Sequence, residues 1–352
     1  MKFEFKYELT ESEIKSLLQL YHSVSFTAIE QHPSWHSSIE PHKKILFFIA
    51  SENGVILCSA IISETFQLFT KTAEILFGPL SADKDILIES IREIRNYYKN
   101  AGFTALTVQL PFPTGPVTDY IEYKLNRTAQ VKQFFDRNNW SSIGVDLSIT
   151  EKDLLGNLSK GHKSDIKKGI KNELKVLHNF TDTQFNDFIE IYINMHKERG
   201  LPVNAGETKY YFHNVNQFFK THEAGKFLLV ADAEEKILGG IAIVRQNKTV
   251  RYYKGAADPQ VRNLPVLHMA IWDAIITSKN EGFEFFDLWG YNHFVDESDQ
   301  VFFINRFKKG FGGDFIFYPK KIYFIFRPIA YKAFNNIKAI YKRYLKKKIQ
   351  RK

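Results

Sequence analysis

Lysines dominate the residues of this sequence that could do chemistry. Lys160, Lys163, Lys167, Lys168, Lys171 and Lys175 follow one another closely, with only Asp165 and Glu173 against them. Such a run either contacts the phosphates of a nucleic acid or precursor, or forms the solvated face of a helix. Arg199 stands before Gly200 at an expected helix end. A cation there complements the helix dipole or clamps a phosphate with its two-pronged guanidinium. Asp287 ends an apolar stretch, where a carboxylate caps the following turn or serves as a possible general base. Tyr252 and Tyr253 lie on an expected strand, so alternation puts Tyr253 with Arg251 on one face and Tyr252 with Lys254 on the other. His32, His36 and His42 make a poor zinc site, because Pro33 spoils a regular helix start and no carboxylate or cysteine stands at ligand spacing. Cys58 is the single cysteine. It excludes an internal disulfide, a four-cysteine zinc site and an iron–sulfur cluster, and reads as a small core residue. No metal is expected.

The elements that position these residues belong to a chain of 352 residues, 44% hydrophobic and 25% charged. That balance suits a globular protein of roughly two domains. No run of about 18 apolar residues occurs, and the first residues lack the apolar core of a signal peptide, so a cytoplasmic location is expected. The net charge of +9 is unevenly placed: twelve Lys and Arg and no acids lie between Phe315 and Lys352, leaving −3 for the rest. In that tail Ala330, Phe334, Ile337, Tyr341 and Tyr344 form an apolar stripe flanked by Lys332, Lys338, Lys342, Arg343, Lys346 and Lys347. Pro328 suits the first turn. A basic amphipathic helix is expected over 323–352, lying on an anionic membrane surface or packed on the second unit.

The chain also repeats itself. Lys99-Asn100-Ala101-Gly102-Phe103 recurs as Lys279-Asn280-Glu281-Gly282-Phe283, and Pro79 falls on Pro259 at the same offset. In the first half, strands are expected at 44–50, 55–66 and 73–77, then a helix at 83–99, a strand at 103–110, a helix at 129–138 and a closing strand at 142–149. The second half repeats the order, with strands at 227–231, 236–245 and 249–257, a helix at 266–279, a strand at 283–288, a helix at 300–309 and a strand at 315–318. A helical connector, 153–196, separates them. The expected fold is α+β, with a first unit at 1–150, connector and second unit at 151–322, and the basic helix at 323–352.

This element order resembles the acetyltransferase fold called GNAT. Members that use coenzyme A carry a glycine-rich loop at the helix after the third strand, whose N–H groups hold pyrophosphate. The corresponding stretch, Arg262-Asn263-Leu264-Pro265-Val266-Leu267-His268, has no glycine, and Pro265 lacks a donor. No coenzyme A cofactor is therefore expected. Two adjacent units without such loops resemble the Fem-type aminoacyltransferases (FemX/FemAB). The match runs from about Trp140 to Tyr318 and is weaker before it. It rests on Leu158–Lys168, Glu198-Arg199-Gly200, Tyr252-Tyr253-Lys254-Gly255-Ala256, Phe286-Asp287-Leu288-Trp289-Gly290 and Arg306-Phe307-Lys308-Lys309-Gly310. Two features depart from that family: the long helical hairpin of its FemA-like branch is absent, and His36-Ser37-Ser38 follow Trp35 where a basic residue is expected.

The resemblance implies transfer of an amino acid from aminoacyl-tRNA to an amine of a peptidoglycan or other cell-envelope precursor, nucleotide- or lipid-linked. It makes Lys308 the catalytic cation, with Phe307 shaping the cavity. It makes Arg199, Tyr253, Tyr211, Lys163 and Lys167 substrate-binding residues. Two other readings stand beside it. One is N-acyl transfer from a different donor to an amino sugar; the other is a non-catalytic module that binds tRNA or lipid.

Overall fold

The computed structural model describes residues 1–67, 69–126, 141–295, 297–334 and 336. Two units emerge from the chain, Met1–Asn139 with Tyr318–Lys352, and Trp140–Phe317.

The first unit opens with β1 (Lys2–Lys6), α1 (Glu11–Ser23) and the short α2 (Trp35–Ile39). Thr10 and Glu13 form a capping box that starts α1. Then come β2 (Lys44–Glu52), β3 (Val55–Gln67), β4 (Thr70–Ile75), β5 (Leu80–Ser81), α3 (Lys84–Asn100), β6 (Ala105–Val108) and α4 (Pro116–Asn126). The expected helix at 129–138 falls outside the described residues.

The second unit comprises β7 (Ser141–Asp146), α5 (Glu151–Asn157), α6 (Lys160–Lys171), β8 (Lys175–Leu177), α7 (Asp182–Glu198), α8 (Ala205–His222), β9 (Gly225–Ala231), β10 (Ile237–Gln246), β11 (Thr249–Ala257), α9 (Val266–Asn280), β12 (Phe285–Asp287), α10 (Gln300–Lys309) and β13 (Asp314–Phe317). The last strand, β14 (Ile322–Ile325), returns to the first unit.

The two sheets run β1-β2-β3-β4-β6-β14, with β5 beside β3, and β13-β7-β12-β11-β10-β9-β8. In each, one parallel pair, β4–β6 or β11–β12, follows the crossover helix, α3 or α9. The fold is thus α+β with two tandem GNAT-like units, as expected. Its boundaries differ from 150 and 322. The strand expected to close the first unit, β7, pairs with β12 and β13 of the second. Residues 322–325, assigned to the second unit and the tail helix, form β14 against β6. Each sheet therefore takes a strand from beyond its own segment, which local alternation cannot reveal.

The repeated pentapeptide proves to be a helix stop. At the end of α3, Gly102 has φ +72° and the Phe103 amide bonds Tyr98 O. At the end of α9, Gly282 has φ +86° and the Phe283 amide bonds Ser278 O. Both are left-handed glycine terminations of the Schellman kind. Between its ends α9 buries Val266, Ala270, Ile271, Ala274 and Ile275 against the sheet. Complete burial of an isoleucine side chain contributes about 2 kcal/mol. Helix α6 lies tightly against α9, because a Cβ at Gly169 would run into Met269.

The tail helix begins at Pro328 and is described through Phe334 and at 336. Ile329 is 88% exposed. Ile337, Tyr341, Tyr344 and the lysines beyond fall outside the described residues. Among the described residues no helix is long and apolar enough to cross a membrane.

Candidate active site

The alternation of β11 fails at one residue. Ala242 pairs with Lys254 and Ile243 with Tyr252, so Tyr253 is skipped and forms a β-bulge. Parallel pairing of β11 with β12 stops at Arg251↔Asp287. Beyond that point β11 keeps only β10 as a partner among the described residues, and its other edge opens onto a cavity of 1310 Å³. Tyr252, Tyr253, Lys254 and Gly255 from β11 line it, with Arg199 from the end of α7, Leu267 and His268 from α9, and Phe307 and Lys308 from α10. Arg251 and Tyr253, expected on one face, are separated by the bulge. Tyr253 faces the cavity and Arg251 is buried beside Asp287.

Arg251 Nε donates to Asp287 Oδ2 at 3.2 Å, with the two residues 7% and 2% exposed. Its guanidinium lies 3.5 Å from the centroid of the Trp289 ring. Asp287 Oδ1 accepts from Ser142 Oγ and, at 2.8 Å, from the Trp289 amide. The carboxylate therefore caps the turn after β12 and is not among the residues lining the cavity. Of the two readings of Asp287, these contacts are those of the turn cap and not of a general base facing the cavity: its oxygens accept from donors that fix the turn.

That turn carries Trp289 at φ +50° and Gly290 at φ +60°. Its two carbonyls accept from Lys308 Nζ, Gly290 O at 2.9 Å and Trp289 O at a short contact. Lys308 is only 8% exposed. Burial pulls its ammonium down from 10.5 to about 8, partly opposed by the Asp287 carboxylate. A buried cation is thus held at the cavity wall by a turn that Asp287 and Arg251 keep in place. Tyr252 and Tyr192 line the same cavity, and burial pushes both phenols upward, which keeps them as hydrogen-bond donors.

Phe307 packs its ring 4.9 Å from His268 and 5.3 Å from Phe311. Its carbonyl accepts from His162 Nε2 at 2.8 Å. His162 comes from α6, which Ser159 caps, and lies flat against Gly310, where a Cβ would overlap the imidazole. Burial lowers the His162 pKa, and burial together with His162 lowers that of His268 to about 4. Both shifts favour the neutral ring.

Of the residues singled out in the sequence, Arg199, Tyr253, Phe307 and Lys308 share the cavity. Tyr211 stands behind it, its hydroxyl in a short hydrogen bond with that of Tyr253. Lys163 instead donates to Gly156 O at 2.7 Å and closes α5, while Lys167 is exposed on α6; neither lines the cavity. In the first unit His32 and His36 are buried, and His36 bonds Glu40 at 3.1 Å. Burial pushes the Cys58 thiol up to about 12, leaving it inert. Sequence reasoning missed Arg251, His162 and His268. His268 stood in the stretch inspected only for glycines, and nothing local marks its approach to His162.

Comparison with known proteins places this geometry. Residues 161–308 match the acetyltransferase (GNAT) domain family. No curated sequence relative matches the chain. Among solved structures, FemX superposes with a TM-score of 0.78 at 12% identity, covering 95% of this chain and 99% of FemX. The C-terminal domain of a putative lysylphosphatidylglycerol synthetase from Agrobacterium fabrum gives 0.58 at 11% identity, covering 87% and 90% of the two chains. A tandem GNAT protein from the clavulanic acid biosynthesis pathway gives 0.55 at 10% identity, covering 92% and 99%. At these identities the likeness is one of architecture: residues 161–308 match the GNAT acetyltransferase domain, and the tandem fold around them is like that of FemX.

Proposed function

We propose that this protein is a Fem-like aminoacyltransferase, moving an amino acid from aminoacyl-tRNA to an amine of a peptidoglycan or other cell-envelope precursor. The observation that carries this reading is Lys308, a buried ammonium presented to a large cavity by two backbone carbonyls. In the proposed reaction the acceptor amine attacks the ester carbonyl and a C–N bond forms. The C–O bond to the ribose breaks; the amine gives up a proton and the ribose oxygen gains one. Negative charge develops on the carbonyl oxygen in between, and a fixed cation such as Lys308 lowers that barrier. A cavity of 1310 Å³ exceeds the usual small-molecule pocket of about 300–1,000 Å³ and suits two long substrates meeting end to end. Arg199 at the rim is the proposed clamp for an acceptor phosphate. The basic tail is proposed to hold the protein on the anionic cytoplasmic face of the membrane, where lipid-linked acceptors reside.

One observation favours a second reading. The first turn of α9 opens into the cavity through Val266, Leu267 and His268, with Pro265 as a cap that makes no side-chain hydrogen bond. Backbone donors of a helix start suit a pyrophosphate, so a coenzyme A thioester would be the rival donor. Incubation with a precursor and either aminoacyl-tRNA or acetyl-coenzyme A, read by product mass, decides between them. A precursor heavier by one amino-acid residue supports the proposal; one heavier by an acetyl group overturns it.

A further inference from the structure

The second unit brings together three side chains that share no sequence neighbourhood. His162 and Asp165 stand three residues apart on α6 and so lie on one helix face. His268 comes from the first turn of α9, held against α6 at the Gly169–Met269 approach. Each offers one ligand atom, and the three atoms lie within 4.8 Å of one another. The geometry points to a binding site for a divalent transition-metal ion, formed by His162, Asp165 and His268, of which His268 also lines the cavity.

Three features support it. The Phe307 carbonyl can only accept, so His162 Nε2, 2.8 Å away, carries the ring proton. Nδ1 is then an acceptor, its lone pair taken by the exposed Ser159 hydroxyl at 3.1 Å, a single hydrogen bond that a metal ion would displace. A ligating histidine characteristically donates its other N–H to a backbone carbonyl in this way, which fixes the ring. Next, His268 Nε2 and Asp165 Oδ2 are 3.4 Å apart, longer than the usual N–H···O bond. The pair is drawn together without closing on itself. Finally, Asp165 is half-exposed and His268 belongs to the cavity lining, so three protein ligands meet at a place that is not sealed in the core. Two imidazoles and one carboxylate suit Zn²⁺, Co²⁺ or Ni²⁺ better than Mg²⁺ or Ca²⁺, which demand more oxygen ligands.

The test uses the full chain, stripped with a chelator and titrated with Zn²⁺ by calorimetry and with Co²⁺ by visible absorbance. No acyl donor is involved, so its outcome is independent of the proposed function. One ion per chain is expected, with a dissociation constant at or below the micromolar range. His268→Ala and Asp165→Asn each remove or weaken a ligand and are expected to cost at least the roughly 10–100-fold in affinity that loss of an outer-shell partner costs. Asp165 is half-exposed, so its variant keeps the fold, which a metal-free melting curve checks. No saturable Zn²⁺ binding below about 100 μM overturns the site. So does binding that either substitution changes less than threefold.

Discussion

Replacing Lys308 with methionine separates what this residue does for folding from what it does for catalysis. Methionine keeps the length of the side chain and removes the charge. The fall from 10.5 to about 8 penalises the buried ammonium by about 3 kcal/mol relative to the unfolded chain. Against this, the carbonyls of the half-buried Trp289 and Gly290 each lose a donor, at less than the roughly 1–3 kcal/mol that a fully buried group would cost. The two effects nearly offset, so unfolding free energy at pH 7 is expected to change by no more than about 2 kcal/mol, measured by urea denaturation. The transfer rate is expected to drop about 10²–10³-fold, as for loss of one oxyanion donor. The pH profile adds a sign. The folded pKa lies below the unfolded one, so between about pH 8 and 10.5 the unfolded chain binds this proton more tightly. The lysine's cost to stability is therefore full below pH 8 and fades across that window, so wild-type stability rises with pH relative to the methionine variant. Activity runs the other way: the wild-type-to-variant rate ratio, which cancels the acceptor amine's own titration, is expected to fall as pH rises through about 8. A ratio that rises through that pH would make Lys308 a base. A variant with more than a third of the wild-type rate would remove Lys308 from the mechanism.

Three further outcomes follow from the same geometry. Arg199→Ala is expected to raise the acceptor KM by about tenfold or more while changing kcat little, as loss of uniform binding does; steady-state kinetics with a phosphate-bearing acceptor checks it. Asp287→Asn leaves the Arg251 charge buried without its counter-ion, and a loss of about 3–5 kcal/mol is expected, read from the melting temperature. A variant that stays fully stable but loses all turnover would restore the general-base role. Deleting Lys332–Lys352 removes nine of the tail's cations, and at about 1 kcal/mol per cation near an anionic surface it is expected to abolish co-sedimentation with anionic vesicles; retained binding places any anchor elsewhere.

Much of this fold was legible because its signals are local. Strands β2, β3, β9, β10 and β11 show alternating or continuous apolar runs, and the repeat that signalled duplication turns out to hold Gly102 and Gly282, two left-handed helix stops. What escaped notice depends on distance. Which sheet β7 or β14 joins is settled by partners more than a hundred residues away, so the unit boundaries at 150 and 322 were misplaced. The bulge at Tyr253 carries no glycine or proline to announce it, and it breaks the two-residue period that paired Tyr253 with Arg251. For Asp287 the residue type was informative but its role was not, because a capping carboxylate and a catalytic one look alike until their donors are known. Lys163 shows the reverse: a lysine in a basic run turns out to close a helix.

The central claim is that the acyl group arrives on tRNA. Its most direct test is a single-turnover assay with tRNA charged with a radiolabelled amino acid, an envelope precursor bearing a free amine, and the purified full chain. Label is expected to move to the precursor without coenzyme A, to be lost when the charged tRNA is first digested with ribonuclease, and to fall about 10²–10³-fold with Lys308→Met. Transfer that survives ribonuclease treatment of the donor, or that requires coenzyme A, contradicts the account.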